Sequence, residues 1–194
     1  MRGRGVGRVI VLVMAASAFG AVESVLKGNG AGVRDGIGNL SAPWVILPLV
    51  AGAVGSRGSA ALGAVVGLLT TVAALVGFYL ANAFVLDLGP HSSLHDIGLT
   101  LNAGNMWFKA GAMSGPALGA VGAWASRRGG FVVAWSVVGL VVFEPLVVYL
   151  AYLASNGRFA AGDGQWNGVY AAEAALGAIA AAALWGSARP IRRD

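Results

Sequence analysis

The sequence predicts an all-α polytopic membrane bundle: six transmembrane helices in a single domain, 1–194, with both termini cytoplasmic. Three observations carry that prediction. Only 11% of the 194 residues are charged and 57% are hydrophobic, with a mean hydropathy of +0.75. Soluble domains carry about 25% charged residues, so this chain lacks the polar surface that water demands. Six apolar segments can be drawn, at 8–27, 42–56, 59–86, 106–126, 131–154 and 168–187. The basic residues also alternate between the segment ends in a way that fits one orientation.

The first segment follows the basic stretch MRGRGVGR. A cleaved signal peptide competes here, because VIVLVMA resembles an apolar h-region and ASA at 16–18 a cleavage site. The apolar run continues through Phe19 to Leu26, so a retained helix is expected. The second segment is short against the roughly 17–25 residues of a span, and is expected to begin before Pro43 or to stay shallow. The third is long and is expected to tilt or project. The fourth carries Gly111, Gly115 and Gly119, a small-xxx-small seam for close helix contact. The fifth contains Glu144 and Pro145 within VVFEPLVVYL, and the sixth contains Glu173.

With the N-terminus inside, Arg2, Arg4, Arg8, Arg57, Arg127, Arg128, Arg189, Arg192 and Arg193 are cytoplasmic. Lys27, Arg34, Lys109 and Arg158 are outside. Lys and Arg concentrate in cytoplasmic loops, which supports this orientation and explains the net charge of +5 without nucleic acid. Seven of the eight acidic residues then fall at the outer surface or in the outer half of the membrane: Glu23, Asp35, Asp87, Asp96, Glu144, Asp163 and Glu173. Any site is expected on that side.

At 1.5 Å per residue, Glu144 is about 15 Å from the outer end of its helix, Glu173 about 8 Å and Glu23 about 6 Å. A carboxyl group near the midplane is expensive unless it faces the bundle interior. Pro145 frees the carbonyl of Val141 beside it, opening polar backbone at the same depth. Glu144 is therefore read as a ligand, ion or proton site, with an interhelical staple as the alternative. Lys27 follows Glu23 by four positions, as an interfacial ion pair would. Trp44, Trp107, Trp166, Tyr149, Tyr152 and Tyr170 fall near the outer interface, as an aromatic belt or as part of a pocket. The ligand-binding candidates are Glu23, Asn82, Trp107, Glu144, Tyr149, Tyr170 and Glu173; they suit a small polar or partly cationic molecule.

His91 and His95, spaced i, i+4 with Asp96 adjacent, are the one grouping with divalent-metal donor chemistry. The spacing supplies no fixed third ligand, so no metal is assigned to them. There is no cysteine, no HExxH, no phosphate-binding loop and no dinucleotide fingerprint, so no cofactor is expected. A weak internal echo links GAVGSRGSAALGAVVGLL (52–69) with GAVGAWASRRGGFVVAWSVVGLV (119–141). Duplicated hairpins occur in transporters, and low complexity in Ala, Gly and Val produces the same echo.

The stretches LSAPWVILPLVAGAVGSRGSAALGAVVGLL, GFYLANA and SGPALGAVGAWASRRG resemble a family of small six-helix membrane proteins of high-GC Gram-positive bacteria. That family carries no established activity, so the resemblance implies a fold and a bacterial cell membrane, and no site. In architecture alone the chain is similar to the substrate-binding S-components of energy-coupling factor transporters, which imply a solute pocket open to the outside. The docking pattern of their first helix has only a generic counterpart here, at Ala16 and Gly20 and at Ser17 and Ala21.

The leading expectation is a multi-pass protein of the bacterial plasma membrane that binds a small solute in an outward-facing polar pocket, in its most concrete form a transporter substrate-binding subunit. Its partners would be the lipid bilayer, the small-molecule ligand, and a membrane protein or a second copy of the chain. The rivals are a membrane-embedded cyclase or lipid-modifying enzyme with Glu144 as acid, and a structural membrane protein without a ligand.

Overall fold

The computed structural model describes residues 3–27, 33–38, 40–87, 98, 102, 105–154 and 165–187. The described elements are α1 (Gly3–Lys27), α2 (Val33–Gly38), α3 (Ala42–Gly55), α4 (Ala60–Ala81), α5 (Asn105–Arg127), α6 (Gly130–Ala154) and α7 (Gln165–Ser187). A π-helical turn, Asn82–Asp87, continues α4. The fold is all-helical, with six long helices and the short α2. His91, His95 and Asp96 lie outside the described residues, as does most of the segment between α4 and α5.

Four helices are long and apolar enough to cross a membrane, through Gly5–Lys27, Ala60–Phe84, Gly130–Val147 and Gly168–Trp185. The other two long helices fall outside that set for different reasons. α3 has only 14 residues, stopped by Ser56-Arg57-Gly58 at one end and started at Ser41 at the other. α5 has 23 residues, but Asn105, Lys109, Ser114, Ser126 and its glycines dilute its hydropathy.

α1, α3, α4 and α5 form the packed body, and α4 touches each of the other three. Glycines make that possible. A Cβ on Gly119 of α5 would stand 2.8 Å from Gly67 Cα of α4, and one on Gly67 would stand 2.8 Å from Gly119 Cα. Gly52 of α3 and Gly63 of α4 meet the backbone of Gly119 as well, so three helices converge on one residue. Gly111 and Gly115 continue the same face of α5 against Thr71 of α4. On α1, Gly20 abuts the backbone of Ala74 and Ser17 the face of Gly77.

The α6–α7 hairpin is peripheral. Only 11% of its two spans is buried, against 44% of the α4 span. It joins the body through contacts of α6 with α3 and α5, and of α7 with α2. Gly177 of α7 packs on Val141 and Val142 of α6. Val169, Glu173 and Gly177 are buried at helical spacing, and form the face of α7 turned to α6.

Two hairpin turns close the opposite end from Lys27. Ser59 caps α4, its hydroxyl accepting from the Leu62 N–H at 3.3 Å. Arg57 and Gly58 adopt left-handed φ values of 52° and 85°, and Gly129 adopts 110° in the second turn. The two turn glycines occupy matching places in the repeated hairpins. Arg8, Arg57, Arg127 and Arg128 thus sit at one end, with Arg128 stacked 4.1 Å over the Trp124 ring.

Candidate functional site

Two features occupy the end opposite the arginines: a carboxyl cluster and a cavity. The cluster begins with the start of α3. A helix opens with several backbone N–H groups that have no intrahelical acceptor. Ser41 is the N-cap, yet its side chain makes no cap bond. Pro43 has no N–H to satisfy. The Trp44 N–H donates to Ser41 O at 3.1 Å in a tight first turn. That leaves the N–H groups of Ser41 and Ala42, and both donate to Glu144, one to each carboxylate oxygen. Glu144 is buried and caps, from α6, a helix more than a hundred residues earlier in the chain. The positive end of the α3 dipole favours a carboxylate there.

Glu173 of α7 hydrogen-bonds the Glu144 side chain. A bond between two carboxyl groups needs a proton between them. That proton is shared by Glu144 and its partner Glu173. Glu173 Oε2 is buried without a partner among the described residues. Tyr170, one turn earlier on α7, lies within the electrostatic reach of both acids. The structure thus brings Glu144, Glu173 and Tyr170 together, where α6, α7 and the start of α3 meet.

The cavity lies beside this cluster, and Ser41 belongs to both. It has a volume of about 310 Å³ and is walled by α3, α4 and α5, with Lys27 of α1 at its rim. Volumes of about 300–1,000 Å³ are typical of small-molecule pockets. Its walls are aromatic. Phe19, Trp44, Phe78, Tyr79 and Phe108 make a continuous chain of ring contacts with centroids 5.3–5.7 Å apart. Trp44, Phe78, Tyr79 and Trp107 line the cavity itself. Lys27 Nζ lies 5.8 Å from the Phe78 ring centroid. Ser41, Thr71 and Ser114 add hydroxyl groups.

Among the described residues, Thr71 and Ser24 stand apart from the other helical hydroxyls. Thr70 donates to Val66 O at 2.9 Å, Ser126 to Ala123 O at 2.8 Å and Ser136 to Val132 O at 2.9 Å. This is the usual way a hydroxyl is satisfied inside an apolar helix. Thr71 Oγ1 is buried and has no partner among the described residues, although Thr71 lines the cavity.

The remaining sequence candidates are scattered. Trp107 reaches the cavity rim. Asn82 marks the end of α4, its N–H donating to the Phe78 and Tyr79 carbonyls, and does not line the cavity. Glu23 is buried on α1 with Oε2 unpartnered, and Ser24 beside it is fully buried. No Glu23–Lys27 ion pair forms, because Lys27 lies over Phe78 instead. Tyr149 belongs to α6, and its side chain lies outside the described residues. Among the described residues no group of three or more metal-ligating side chains forms.

Sequence reasoning passed over Lys27, Phe78 and Thr71 as cavity residues. Lys27 was assigned to Glu23 by spacing, and Thr71 lies in an apolar run with no periodic signal. The chain matches no protein-family model, no curated protein and no solved structure.

Proposed function

We propose that the protein is a multi-pass protein of the bacterial cell membrane that holds a small solute in the cavity between α3, α4 and α5. Six helices cross or enter the bilayer with both termini cytoplasmic, which opens the cavity to the outside. The carrying observation is the cavity itself: aromatic walls, one cation and the hydroxyl-bearing Ser41 and Ser114 around one volume. An apolar pocket with few convergent polar groups is the usual form of a small-molecule site. A substrate-binding subunit of a transporter is the role that fits, with the energy source in a partner.

Ala110 lines the cavity from an exposed position on α5, so Ala110→Trp fills it without entering the glycine seam. Small molecules released from purified parent and variant would be identified by mass spectrometry. The expected result is one compound class present in the parent at near-stoichiometric amount and lost from the variant. The same complement in both proteins would overturn the reading.

A further inference from the structure

We propose that the cavity selects an amphipathic monoanion, a small organic acid whose charged group meets Lys27 and whose apolar body lies among Trp44, Phe78 and Trp107. The inference rests on the solute-binding reading above and adds the sign of the ligand.

Lys27 is the only charged side chain among the described residues that line the cavity. The three buried carboxyl groups do not offset it. Glu144 is bonded to the α3 N-terminus, Glu173 bonds to Glu144, and neither they nor Glu23 line the cavity. A lysine in the last turn of a helix is ordinarily explained by the exposed carbonyls there. Here Arg34 of α2 already serves that end, its guanidinium donating to the Val25 carbonyl. Among the described residues Lys27 has the face of Phe78 as its partner. An anion is the stronger partner, since a charge-assisted hydrogen bond outweighs a cation–π contact at an exposed site.

The cavity is also graded along its depth. Phe78 marks the level of Lys27, and Thr71 lies seven residues lower on the same helix, about 10 Å down. Between them the walls are Trp44, Leu75 and Val45. The fitting molecule carries its charge at one end, at the level of Lys27, and an apolar ring or chain below it.

Three probes that share an indole ring separate charge from shape: indole-3-acetate, neutral 3-methylindole and cationic tryptamine. Their affinities would be measured by calorimetry with the full chain in nanodiscs of zwitterionic phosphatidylcholine. Indole-3-acetate is expected to bind about tenfold more tightly than either other probe, as one charge-assisted bond allows. Lys27→Gln is expected to remove that advantage and leave 3-methylindole unchanged, while Ala110→Trp abolishes binding of all three.

Equal affinity for indole-3-acetate and tryptamine, or an unchanged preference in Lys27→Gln, overturns the anion inference and leaves the pocket standing. Failure of all three probes to bind the parent, or their undiminished binding to Ala110→Trp, overturns the pocket as well. An anionic lipid headgroup offers the same chemistry as a free acid. Loss of both indole-3-acetate and 3-methylindole binding in nanodiscs containing phosphatidylglycerol would give the cavity to lipid and overturn the free-acid assignment.

Discussion

Glu144 takes the place of a side-chain cap that Ser41 does not provide. Glutamine keeps the shape but offers one acceptor oxygen where the carboxylate offers two, and turns an amide NH2 toward a backbone N–H. Leaving a buried donor unsatisfied costs about 1–3 kcal/mol. Glu144→Gln is therefore expected to lower the unfolding temperature in detergent, and Glu144→Leu to lower it further by stranding both donors. A Gln variant as stable as the parent would show that the cap is dispensable. The oddity of Glu144 was legible in the sequence, because a carboxyl group inside an apolar run is rare. Its partners were not legible: they are backbone N–H groups 103 and 102 residues away, and no residue pattern advertises them.

At the scale of the helix, the glycine stripe of α5 was legible as a packing seam from its spacing of four. Its counterpart on α4, Gly63 and Gly67, was hidden in a stretch where alanine, glycine and valine recur everywhere. α2 was not drawn at all, since six residues with two glycines carry no periodic signal. The seam predicts a contrast between two glycines that look alike in sequence. A Cβ at Gly119 would strike the α4 backbone, whereas nothing lies within 4 Å of one at Gly139. Gly119→Ala is expected to cost about 1–3 kcal/mol, the range for overpacked interiors. Gly139→Ala is expected to be neutral or to stabilise by up to about 1 kcal/mol through helix propensity. Thermal unfolding of the two variants side by side checks this, and equal melting temperatures would contradict the seam.

For the molecule as a whole, the number and order of the long helices were legible, because hydropathy reports burial from water whichever surface provides it. The division into a packed body and a loose hairpin was not, since α6 and α7 are as apolar as the helices of the body. The proposed orientation rests on the arginine end, and two exposed positions test it. Met106 opens α5, and Gly130 opens α6 at the opposite end. An impermeant maleimide applied to intact cells is expected to label Met106→Cys and spare Gly130→Cys. The reverse pattern would turn the cavity toward the cytoplasm.

The brevity of α3 ties the cavity to the lipid around it. Fourteen residues make about 21 Å of helix, against a hydrocarbon core of about 30 Å, so in the proposed six-helix arrangement some 9 Å goes unmatched. The shortfall is felt at the Ser41 end, where the Glu144 cap and the mouth of the cavity lie. Longer acyl chains deepen the mismatch there, and shorter ones relieve it, at fractions of a kcal/mol per Å. The unfolding temperature is then expected to fall as phosphatidylcholine chains lengthen from 14 to 20 carbons, an effect that a melting series across such bilayers would reveal or refute. On the proposed solute-binding reading, membrane thickness becomes a setting on the site, and the same chain is expected to grip its solute differently in thin and thick bilayers.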